Sequence, residues 1–184
     1  MTFSFHRGSL ALDLAGTVGA RASDHPEERL PGREELGRWL VEAGLLERAA
    51  PTEDELADAH ALRDAIHAAG TDAIEGRPVR RSALGTLNRA ALGLRLGAPQ
   101  LTATLAARWE ASAPVAVALG RVAADAIEVL SRHADRLTRC ELEGCGALLL
   151  SRSRGEARRW CSMEVCGNRA KAAAFRRRRA HRRP

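Results

Sequence analysis

Four cysteines, Cys140, Cys145, Cys161 and Cys166, are the residues whose type and spacing carry chemistry in this chain. They fall into two pairs, with four residues inside each pair and fifteen between the pairs. Two thiolate pairs on separate turns supply the four soft ligands of a tetrahedral zinc ion without requiring distant segments to coincide. Four protein thiolates leave no coordination position for water, so the expected metal is one structural zinc and not a hydrolytic centre. Unrelated buried thiols or a redox pair are the blander readings, and the matched spacing argues against both. Disulfides are disfavoured because the chain reads as cytoplasmic, where thiols stay reduced. Its opening residues lack the basic-then-apolar layout of a signal peptide, and no apolar run approaches the roughly 18 residues of a membrane span.

The second chemical feature is charge. The net charge is +6. Residues 136–184 hold 14 Lys+Arg against 4 Asp+Glu, whereas residues 1–135 hold 15 against 19. A block this basic attracts polyanions, and a mildly acidic body is an ordinary solvated globule. Lys171 is the only lysine, so arginine is favoured throughout, but that bias does not explain where the arginines cluster. Residues 169–175 are strongly helix-forming. Arg169, Lys171, Arg176, Arg177, Arg178 and Arg179 are therefore the candidate contacts to duplex DNA, while the residues from about Ala180, Arg182 and Arg183 among them, either grip phosphate or stay disordered. Only Trp160 and Phe175 are aromatic in this block, which makes base stacking on single strands a weaker reading. The alternative is a zinc-stabilised protein–protein interaction module with a basic tail that binds any polyanion.

The elements that must position these groups read as mainly α. Residues 1–135 form a helical domain with one small β-hairpin, and residues 136–184 a small zinc finger built of a hairpin and a helix. Near the start, Leu10, Leu12, Leu14 and Val18 suggest a short helix. Residues 22–32 read as a loop and 33–43 as a helix stopped by Gly44. Thr52-Glu53-Asp54-Glu55 has the form of a capping box opening a helix to about Ile74. Pro78 suits the first turn of a helix over 79–92 that Gly93 closes. Alternation around Leu101, Ala103 and Leu105 predicts two strands ending near Trp109. Ser112 and Pro114 then open what reads as the longest helix, to about His133. In the finger, residues 147–150 and 158–160 are expected to pair as a hairpin joining the two cysteine pairs. Cys166 should sit beside a helix N-terminus, where N–H groups offset thiolate charge, with Phe175 pinning that helix near Trp160.

Arg159-Trp160-Cys161-Ser162-Met163 followed by Cys166-Gly167-Asn168-Arg169-Ala170-Lys171 resembles the signature of the CGNR zinc-finger family. Upstream, residues 8–17, Leu36-Gly37-Arg38-Trp39-Leu40 and Leu87-Asn88-Arg89-Ala90 resemble the ABATE domain that precedes this finger. The resemblance implies a bacterial stress-linked transcription regulator whose finger binds DNA and whose N-terminal domain, 1–135, senses a ligand or partner. The family's opening motif usually ends Phe-Val-Asn-Thr, whereas this chain has Leu14-Ala15-Gly16-Thr17, so any contact made by that Asn is absent.

The residues name no effector, and they speak against an enzyme. There is no phosphate-cradling glycine loop, no serine nucleophile elbow and no His-Glu helix motif. His6, His60 and His67 are candidates for lining a pocket, although packing is the blander role of His60 and His67. Asp13 and Asp64 are expected to make structural ion pairs with Arg7 or Arg63. A homodimer is possible, and without a long heptad seam it would have to use the globular part.

Overall fold

The computed structural model describes residues 3–111, 113–153, 155 and 158–180, and the side chains of all of these but 108–111, 177, 179 and 180. Its elements are α1 (Leu10–Ala15), β1 (Val18–Gly19), β2 (Glu27–Glu28), α2 (Arg33–Glu42), α3 (Glu53–Ile74), α4 (Arg81–Ala91), β3 (Gly97–Leu101), β4 (Ala107–Ala111), α5 (Pro114–Arg132), β5 (Leu137–Arg139), β6 (Leu148–Leu150) and α6 (Asn168–Ala180). The strands pair antiparallel as β1–β2, β3–β4 and β5–β6. The mainly helical fold with small hairpins is the one expected, with β1–β2 a second small pair inside the stretch read as a loop.

The core is built on α3. Thr52 Oγ1 accepts from Glu55 N–H at 3.2 Å and Glu55 Oε2 from Thr52 N–H at 2.8 Å, so the capping box closes as the sequence predicts. Leu56, Ala59, Leu62, Ile66 and Ala69 recur on the buried face of the helix and meet α1, α4 and α5. At 22 residues α3 is longer than α5, at 19, so the longest helix is not the one expected. The α5 helix begins at Pro114 and buries Val115, Ala118, Leu119, Val122, Ala126 and Val129. Ser112 lies outside the described residues. The α2 helix buries Leu36, Trp39 and Leu40 completely.

Two boundaries differ from the expectation for physical reasons. The fourth helix begins at Arg81, leaving Pro78 outside it, because the buried Asp72 carboxylate organises the preceding turn. It accepts from Arg77 at 3.0 Å, and from the Arg80 backbone and side chain at 3.2, 2.8 and 2.6 Å. These cations, Arg80 foremost, hold Asp72 well below the usual carboxylate range. Gly93 does not end the helical path, which tightens into a 3₁₀ segment over Leu92–Leu96. A Cβ at Gly93 would stand 2.3 Å from Ala116 O, so glycine is what allows this segment to lie on α5.

The hairpin of the C-terminal module is also paired differently. Leu148–Leu150 join Leu137–Arg139, with Leu137 opposite Leu150, and residues 158–160 lie outside that sheet. The reason is burial: Leu148, Leu149 and Leu150 are all buried, and Leu148 and Leu150 enter the same apolar core as α1 and α3. Gly70 of α3 makes room, since a Cβ there would lie 2.6 Å from Leu148 Cδ1. Residues 158–160 run alongside instead: Arg158 N–H donates to Ser151 Oγ at 3.1 Å, and Thr138 Oγ1 to Arg158 O at 3.3 Å.

Candidate metal centre and nucleic-acid helix

The first cysteine pair lies in the connection of the β5–β6 hairpin. Cys140 N–H donates to Ala147 O at 2.8 Å and closes the turn, while Cys145 N–H donates to Leu142 O at 3.0 Å. Gly144 and Gly146, at φ +76 and +67, take the left-handed conformations that let the chain double back beside Cys145. The second pair is set by a wide helical turn over Met163–Gly167, in which Ser162 Oγ accepts from Val165 N–H at 3.2 Å. Cys166 lies in that turn and α6 continues from it, so the last thiol sits at a helix start as its sequence implies.

The four sulfurs lie within 4.8 Å of one another. Zinc–sulfur bonds of about 2.3 Å at tetrahedral angles place ligand sulfurs about 3.8 Å apart. Cys145 Sγ is 3.7 Å from both Cys161 Sγ and Cys166 Sγ, and the Cys161–Cys166 separation is 3.2 Å. Electrostatics agrees with that geometry. Sharing with the Cys161 thiol, followed by burial, pushes the Cys145 thiol up, and burial pushes Cys166 up to about 11. Thiols crowded in this way need a cation before they ionise, and a soft divalent ion meets the need. The donor set fits one structural zinc held by Cys140, Cys145, Cys161 and Cys166. Outside the ligands, Arg159 pairs with Glu141 at 2.7 Å and so links the two cysteine pairs.

The body of the protein holds the first pair by its main chain. Arg21 N–H donates to Cys145 O at 3.0 Å and Ala22 N–H to Gly144 O at 3.2 Å. His67 Nε2 bonds Gly146 O at 2.9 Å, and burial lowers the pKa of this imidazole. The α6 helix packs against the 163–167 turn from which it grows. Its Arg169, Ala172, Ala173 and Arg176 line a cleft of about 650 Å³ opposite Ser23, Asp24, Leu142 and Glu143. Lys171, Phe175 and Arg178 occupy the opposite face by helical spacing, and all three are exposed.

Comparison with known proteins places this architecture. The profile of the ABATE family, described as "Putative stress-induced transcription regulator", matches residues 8–133, and that of the CGNR zinc finger matches residues 136–179. The chain belongs to the ABATE family. No curated protein matches the sequence.

Within this ABATE–CGNR architecture, the expected site residues divide. The four cysteines come together. Arg169, Lys171, Arg176 and Arg178 are exposed on α6, on two different faces, whereas the side chains of Arg177 and Arg179 lie outside the described residues. Phe175 is 55% exposed on α6. Trp160 packs by Gly167, whose Cβ would approach its ring at 3.2 Å, and stacks with Arg159. His60 bonds Leu30 O at 2.9 Å, which is a packing role. Asp13 pairs with Arg7 at 3.9 Å and Asp64 with Arg63 at 3.5 Å and Arg21 at 3.0 Å. Gly16 gives its space to the Arg7 guanidinium, as a Cβ there would lie 2.0 Å from Arg7 Cζ. The main-chain grip of Arg21 and Ala22 on the metal turn was not foreseeable from residue type, because backbone donors leave no compositional mark. Gly144 and Gly146 flanking Cys145 were the available signal.

Proposed function

We propose that this protein is a cytoplasmic DNA-binding transcription regulator, not an enzyme, in which zinc fixes the cationic helix α6 for insertion into the major groove of duplex DNA. The observation that carries this reading is that α6 grows directly from the Cys166 turn and exposes Arg169, Lys171, Arg176 and Arg178. Guanidinium groups on an ordered helix match guanine edges and phosphate oxygens. Lys171 and Arg178 form the reading face, because Arg169 and Arg176 share their cleft with Asp24 and Glu143, whose carboxylates repel phosphate. The family description of a stress-induced transcription regulator supports the same reading. Residues 1–135 act as the sensor, through a small molecule or a partner protein. A gel-shift titration on random duplex DNA across a salt series tests it. Two phosphate contacts, from Lys171 and Arg178, give a slope of about −1.8 in log K against log salt. Replacing Lys171 and Arg178 by Ala lowers affinity and flattens that slope while the protein retains zinc. A salt-independent response, or no binding at low salt, overturns the proposal and leaves a protein-docking finger as the surviving account.

A further inference from the structure

A cavity of about 780 Å³ lies between the N-terminal segment, the β1–β2 pair and the zinc finger, and the metal-ligating Cys145, Cys161 and Cys166 form part of its wall. That is the size of a small-molecule site, and such sites concentrate where two parts of a chain meet. The charges on its wall are sorted by depth. Glu27, Glu143, Glu164, His6 and Arg169 are exposed at the rim, and Arg29 is engaged by Glu27 at 2.9 Å. Arg7 is the buried charge on this wall, at 7% exposure.

The charge of Arg7 is incompletely matched. Its guanidinium donates to Ser4 O at 3.1 Å and Gly16 O at 3.3 Å, and buried Nε has no acceptor among the described residues. Asp13 Oδ1 stands 3.9 Å from Arg7 Nη1 and is already taken by the Arg7 backbone N–H at 2.9 Å. Burial pushes the Asp13 carboxyl up to about 6, so it loses its charge in mild acid and leaves Arg7 without it there. A buried cation without full compensation is costly, and an anion in the adjoining space relieves the cost. Phe3, Val18 and Ala147 give the same cavity an apolar side. Ala20, also on the wall, holds φ +47, a strained conformation of the kind that gathers at ligand sites.

We propose that this cavity binds a small organic carboxylate, its charge completing that of Arg7 and its apolar body lying against Phe3, Val18 and Ala147. The proposal deepens the sensor reading of the N-terminal part and rests on it. Because Ser162 and Arg169 share the wall, the occupied cavity touches the turn and helix that follow Cys161.

Titration calorimetry on the zinc-loaded full chain tests it, with benzoate, salicylate and hexanoate to about 10 mM and with benzyl alcohol and benzamidine as neutral and cationic counterparts. At least one carboxylate is expected to bind about tenfold more tightly than either counterpart, and Arg7→Met to lose about tenfold of that affinity. No binding by any of the three carboxylates, or equal binding by the alcohol or the amidine, overturns the proposal. Circular dichroism and zinc content establish whether Arg7→Met is folded. If it is not, Val18→Phe, which narrows the cavity from a half-buried wall position, must weaken the carboxylate, and unchanged affinity overturns the proposal. Gel shifts without added carboxylate report on the DNA reading separately, so failure of one reading is distinguishable from failure of the other.

Discussion

Asp13 gives a prediction whose sign and size both follow from its surroundings. It is 7% exposed, and burial raises its pKa from 3.8 to about 6 against the opposing pull of Arg7. A carboxyl with a raised folded-state pKa binds protons more readily in the native state than in the unfolded chain. Its contribution to stability is therefore complete below the unfolded pKa and is lost as pH rises through the folded one. For these two pKa values the loss between about pH 5 and about pH 7.5 is about 1.4 kcal/mol, approaching a total near 3 kcal/mol. Asp13→Asn retains an oxygen for the Arg7 backbone N–H and removes the titration. Thermal unfolding of both zinc-loaded proteins across this range should show the wild type losing about 3–5 °C relative to the variant as pH rises. Taking the difference between the two cancels the pH dependence of zinc binding, which is common to both. A difference that stays flat with pH would refute the burial argument for Asp13.

Three further outcomes are expected. Cys161→Ala should lower bound zinc from one equivalent to below about 0.2, measured by metal analysis, while most of the helical circular dichroism survives, because the α3 core does not depend on the metal. Gly70→Ala gains about 1 kcal/mol of helix propensity but forces Leu148 aside, for a net loss of about 1 kcal/mol in urea unfolding; net stabilisation would mean that β6 is not held tightly on α3. His67 has a lowered pKa, so its contribution is present above the ordinary histidine value and lost as pH falls through it. His67→Gln, which can still donate to Gly146 O, should flatten the acid side of the stability profile below about pH 6.5.

Local signals in the sequence were the ones that survived folding. The capping box at Thr52 and the stop at Gly44 are set by neighbours within a turn, and the cysteine spacing is fixed by the geometry of its own metal. What escaped were features decided by distant segments. Residues 147–150 have a strand pattern, but which strand they join depends on the core that Leu148 and Leu150 enter. The start of α4 moves because Asp72, nine residues upstream of Arg81, captures Arg77 and Arg80. The cavity beside Arg7 had no pattern at all, since it is the space left when residues 3–7, 18–29 and the finger meet.

These observations change what positions α6. A small zinc module has too little apolar surface to hold a helix rigidly by itself, and a metal ordinarily supplies that missing free energy. Here the metal is one of three holds. Leu148 and Leu150 anchor the finger in the helical core, and Arg21, Ala22 and His67 fasten residues 144–146 by their carbonyls. Whatever displaces residues 21–22 acts directly on the main chain beside Cys145, and from there through the shared zinc on the Cys166 turn and α6. The residues immediately before that loop, Val18, Gly19 and Ala20, line the Arg7 cavity. Cys145, Cys161 and Cys166 line the same cavity, so a ligand seated there adjoins the metal site itself, and coupling between cavity and helix requires no wholesale rearrangement of the core.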